Sequence, residues 1–185
     1  ESYKKGILKL HDNYKDDFSQ ILPVFLYTSK EALDGITSEM DRSIQKATKL
    51  ISMHSLTAKP KIKSEKDLTQ KQKEFLGKKE YNKWVDDSYM LMAKAQFYQK
   101  NFMAARSSFS FATNIATDPD LVTEAGIWMT RIQTEEGNLS EANRLMQELS
   151  DPESLSRPLK AMYYSTQADI ALRQKRYGDA VVPLT

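Results

Sequence analysis

The chain contains no cysteine among its 185 residues. That excludes disulfides, thiolate zinc sites and cysteine nucleophiles within it. The absence fits a reducing cytoplasm and an extracytoplasmic helical protein equally well. Histidine is almost missing too: His11 and His54 stand alone, each without a neighbouring ligand set, and read as surface or capping residues. No apolar run approaches the ~20 residues that span a bilayer. The net charge of +2 is too slight to imply a nucleic-acid partner. There is no glycine-rich phosphate loop, nucleophile elbow or HExxH helix. The adjacent carboxylates Asp16–Asp17, Asp86–Asp87 and Glu135–Glu136 do not converge on a substrate, because neighbours one apart on a helix point apart. The reading is non-enzymatic, with no cofactor and no metal.

What remains is 40% hydrophobic and 28% charged, with six glycines and six prolines, which fits an ordered, helix-rich protein. Residues 1–58 hold two helical patterns, near 2–20 and 38–55, joined by "ILPVFLYTSKEALDGIT". Pro23 and Gly35 interrupt that connection, while Val24, Phe25 and Tyr27 predict that it packs onto the helices. In the second helix Met40, Ile44, Ala47 and Ile51 form a buried stripe, with Ser38 as the expected start. Residues 59–79 carry eight Lys against Glu65, Asp67 and Glu74, and read as an exposed connection turning helical toward its end. It is either a solvated linker or a basic contact surface.

Residues 80–185 repeat themselves. Ala105, Ala142 and Ala180 fall 37 and 38 residues apart. A large apolar residue precedes each by three places (Phe102, Leu139, Tyr177) and another follows by four (Phe109, Met146, Leu184). Twelve places earlier stand the small residues Ala93, Thr130 and Ala168. Small residues at matching positions of two antiparallel helices let the backbones approach, and the large ones fill the flanks. The turns "QKN", "EEGN" and "RQKR" separate the paired helices; Gly137 is expected to be left-handed, and Asn138 with Glu141 to cap the next helix. "DPD" and "SDPESLSRP" punctuate between pairs. Trp84 is expected to pack the linker onto the hairpins, the alternative being a ligand contact, and Trp128 to lie in the core.

This pattern resembles the tetratricopeptide repeat, a ~34-residue pair of antiparallel helices. The expectation is all-α: a tetratricopeptide-like α-solenoid of helical hairpins. Residues 1–58 form a degenerate first pair, with Ala47 flanked by Ile44 and Ile51, and 59–79 a basic linker. Units follow at about 86–119, 123–157 and 161–185, with Leu149 where Ala112 stands in the first unit. The chain opens at Glu1 without Met and ends on "AVVPLT" inside an unfinished pattern, so it reads as a piece of something longer. Such stacks present a concave surface lined by the first helix of each pair. The expected groove residues are Asp87, Met90, Lys94 and Phe97, then Glu124, Ile127 and Arg131, then Met162, Ser165, Asp169 and Leu172. A mixed apolar and charged strip suits an extended peptide or a partner helix. The other reading of these residues is that they are half-buried, or covered by another part of the same chain.

A narrower likeness lies in "DDFSQILPVFLY", "EMDRSIQKATKLISMHS" and "KKEYNKWVDDSYMLMAKAQFYQKNFMAA", over roughly residues 3–110. These segments resemble the N-terminal part of the large tetratricopeptide lipoproteins of Bacteroidota tied to gliding motility and type IX secretion, the PorW/SprE type. The resemblance implies a non-catalytic scaffold facing the periplasm, held at the outer membrane by a lipid anchor outside this chain. It implies contact with the periplasmic ring and outer-membrane translocon subunits of that system. The alternative is a generic tetratricopeptide adaptor or chaperone-like peptide-binding module, cytoplasmic and unrelated to secretion.

Overall fold

A computed structural model describes residues 1–58, 68–149 and 151–181. Helix α1 (Ser2–Asn13) stops well before residue 20. Asp17 offers the backbone beyond it a local alternative: its carboxylate accepts from the Ser19 N–H at 3.0 Å and hydroxyl at 2.6 Å. The chain then makes a 3-10 turn (Leu26–Thr28) and the short helix α2 (Lys30–Asp34), capped by the Ser29 hydroxyl. Helix α3 (Thr37–His54) follows at once. Ser38 is therefore inside its first turn, not at its start, and donates to Glu39 at 2.8 Å. Helices α1 and α3 cross closely at Gly6, where a Cβ would lie 2.6 Å from Met40 Cε and 3.1 Å from Glu39 Cβ. Met40 and Ala47 are buried, Ile44 and Ile51 half-buried.

Of the basic stretch 59–79, residues 59–67 lie outside the described ones. The rest contains α4 (Gln70–Leu76), which opens with a Thr69–Gln72 capping box and buries no residue. The chain returns to the end of α3 through Glu80, whose carboxylate accepts from the Ser55 hydroxyl at 2.5 Å and the Leu56 N–H at 2.7 Å. Trp84 does not pack the linker onto the hairpins: it is 57% exposed, and Val85 beside it turns inward instead.

Three helical pairs then stack: α5 (Val85–Tyr98) with α6 (Phe102–Ile115), α7 (Pro119–Glu135) with α8 (Leu139–Glu148), and α9 (Arg157–Arg173) with α10 (Tyr177–Val181). Each first helix packs on its own partner and on both helices of the pair before it, or on α3 in the case of α5. Pro119 and Pro158 sit in the first turns of α7 and α9, where no helical hydrogen bond is lost. The small residues of the repeat, Ala93, Thr130, Ala168, Ala105 and Ala142, have no exposed surface. The departure at Leu149 has its compensation in Gly126 across the pair, where a Cβ would come within 2.5 Å of Leu149 Cδ2. Among the described residues there is no strand, and the chain is all-α.

The turns inside the pairs repeat as faithfully as the alanines. Lys100, Gly137 and Lys175 all have positive φ, at 56°, 80° and 60°. In each turn the left-handed residue donates back three places, Lys100 to Phe97, Gly137 to Thr134 and Lys175 to Leu172, at 2.8, 3.1 and 2.9 Å. The next residue donates back five places, Asn101 to Gln96, Asn138 to Gln133 and Arg176 to Ala171, at 3.0, 2.9 and 2.9 Å. This is the Schellman ending, made three times in one register. The expected Asn138–Glu141 capping box does not form. The Asn138 amide donates to Gln133 instead, and Glu141 pairs with Arg144. Lysine in the left-handed region carries a Cβ penalty that glycine lacks. Lys100→Gly is therefore expected to raise stability by about 0.5–1 kcal/mol, after the greater freedom of an unfolded glycine is subtracted. Gly137→Lys is expected to lower it similarly. Urea midpoints at unchanged m-value measure both, and a destabilised Lys100→Gly would refute the assignment.

Candidate functional site

Most of the expected groove residues divide into two groups; Ser165 and Leu172 are half-buried on α9 and belong to neither. Asp87, Met90 and Lys94 on α5 and Glu124 on α7 line one open cleft of about 520 Å³. Met162 and Leu159 of α9 close it from the far side, and Asp118 and Asp120 stand at the α7 entrance. Its floor is apolar, lined by Met90 and Leu121, both nearly buried, and by the half-buried Leu91. Its charge is mostly negative. Lys94 meets Glu124 at 2.5 Å, and Glu124 also accepts from the Trp128 indole at 3.3 Å. The Asp118 carboxylate caps α7 by accepting from the Asp120 N–H at 2.9 Å. Burial, and then the neighbouring Asp86 carboxylate, raise the Asp87 carboxyl above the ordinary aspartate range; Lys94 opposes them.

Phe97, Ile127, Arg131 and Asp169 do not face this cleft and are all buried, at 1%, 0%, 5% and 5% exposure. For Phe97 and Arg131 the cause lies some 70 residues upstream of Phe97, in the segment "PVFLYT" between α1 and α2. Phe25 and Tyr27 stack on each other at 5.1 Å, and Tyr27 meets the Phe97 ring edge-on at 4.9 Å. The Arg131 guanidinium lies 4.1 Å from the Phe25 ring centre and 4.8 Å from that of Trp128. A cation between two aromatic faces is held by both ring quadrupoles. Its Nε donates to the Thr166 hydroxyl at 2.9 Å, tying α7 to α9. So Phe97 and Arg131, two of the expected groove residues, are covered by the chain's own aromatic residues.

Beneath that cover lies a charged layer. Arg173 pairs with Asp169 at 3.1 Å and with Glu135. Burial raises the Asp169 carboxyl above its ordinary value, opposed by Arg173. Burial likewise pushes the Tyr27 hydroxyl far up, and that hydroxyl has no hydrogen-bond partner among the described residues. Arg131, Asp169, Glu135 and Arg173 all act on it electrostatically. No group of three or more His, Cys, Asp or Glu among the described residues is placed to hold a metal ion.

The geometry defines an all-α protein of stacked helical pairs with one open, acid-lined cleft and one self-covered aromatic socket. No family model matches the chain, and no curated protein or solved structure matches it significantly.

Proposed function

We propose that the chain is a non-catalytic protein-binding module of tetratricopeptide type, which receives a partner's peptide segment in the cleft between α5, α7 and α9. One observation carries this reading. Consecutive first helices leave a 520 Å³ trough, apolar at its floor and charged at its rim. A trough so built suits a peptide whose apolar side chains enter it while its backbone and charges stay at the surface. The in-register turns and alanines support the tetratricopeptide assignment.

The likeness of residues 3–110 to the PorW/SprE-type lipoproteins adds a setting: a periplasmic scaffold at the outer membrane, contacting type IX secretion and gliding subunits. Co-purification from a native Bacteroidota envelope tests it. Recovery of secretion-ring or translocon subunits supports that setting. Their repeated absence would remove it and leave a general peptide-binding adaptor.

A further inference from the structure

We infer that the segment bound by the open cleft is cationic: a short Lys- or Arg-bearing stretch with interspersed leucine or methionine side chains. This rests on the cleft being a docking site and specifies what docks there. Asp87, Asp118 and Asp120 face the cleft and form no ion pair among the described residues. Lys94, the cation facing them, is already committed to Glu124. The whole chain carries +2, so this negative surplus is local and opposes the overall balance.

All three carboxylates belong to helix N-termini. Asp118 caps α7, and Asp120 sits at the favourable end of the same helix dipole. Asp87 stands in the first turn of a second helix, α5, and shares one apolar trough with those two, so two helix N-termini bring three carboxylates to the same cleft. The Asp87 carboxyl is raised by its surroundings, so a cation placed there would relieve an existing cost. The carboxylates are spread along the trough and not gathered to chelate, which matches charges carried along a peptide more than a single metal ion. Met90, Leu121 and Met162 would take the ligand's apolar side chains, the methionines adapting to their shape.

The test uses the 185-residue protein and two labelled 12-residue probes, one alternating lysine with leucine, the other glutamate with leucine. Fluorescence anisotropy reads affinity, and hydrogen–deuterium exchange reads location. The lysine probe is expected to bind and to protect residues 87–94 and 118–124, and the glutamate probe to do neither. Binding should weaken about ten-fold or more in the Asp87→Asn/Asp120→Asn double variant and fall with added salt. Lys94→Gln removes the competing cation and should strengthen it, which guards against a poorly folded double variant. Protection of the cleft by both probes alike, or equal affinity in wild type and both variants, overturns the cationic assignment and leaves the docking site standing. Protection of the cleft by neither probe overturns both.

Discussion

Phe97→Ala is expected to destabilise the protein by about 3–5 kcal/mol, the range for emptying a buried phenylalanine site. The ring is 1% exposed, and four others surround it: Tyr27 at 4.9 Å, Trp128 at 5.0 Å, Phe102 at 5.6 Å and Tyr98 at 5.8 Å between centroids. These neighbours come from the loop before α2, from α5 and α6, and from α7. Collapse around the vacated space is therefore resisted from several elements at once, which keeps the cost high. The comparison is Lys94→Ala, one helical turn earlier on the same expected strip. Its ammonium is bridged to Glu124 at a half-exposed rim, so its loss should cost about 1 kcal/mol or less. Urea denaturation of both variants separates core from groove. A small loss for Phe97→Ala would mean that the ring is a groove residue after all and that the aromatic cover is absent in solution.

The contrast between these positions shows what was legible in the sequence. Asp87, Met90, Lys94 and Phe97 recur at helical spacing, and that spacing does put them on one face of α5. Periodicity is a local property, and it cannot tell which stretch of that face another segment will cover. The covering segment has no periodicity of its own: Phe25 is extended and residues 26–28 make a single turn. Its apolar residues advertised that it packs somewhere, and nothing local encoded the destination. The alanine register was readable because close helix approach demands small residues at fixed intervals. The left-handed turns were readable only at Gly137, since Lys100 and Lys175 hold the same conformation against their own preference. Helix ends were the least legible. Helix α1 stops at Asn13 with Tyr14 extended and no glycine or proline to mark the end, and Asn138 turned to Gln133 although the Asn-to-Glu spacing favoured a cap.

Tyr27 gives the sharpest test of the cover, because its ring and its hydroxyl should act in opposite directions. Tyr27→Ala removes a side chain that is 3% exposed, stacked on Phe25 and edge-on to Phe97 and Tyr98, at an expected cost of about 3–4 kcal/mol. Tyr27→Phe keeps the ring and deletes a buried hydroxyl without a partner, so it should be neutral or stabilising by up to about 1 kcal/mol. Because Tyr27 and Phe97 touch, their losses should not add. The double alanine variant should cost about 0.5–1.5 kcal/mol less than the sum of the single ones. Full additivity would mean that the two rings are not in contact. A loss above 1 kcal/mol for Tyr27→Phe would mean that the hydroxyl is engaged by the charged layer of Arg131, Asp169, Glu135 and Arg173 beneath it. In that case the segment would be held by a polar anchor as well as by its rings, and displacing it from the groove would require breaking both.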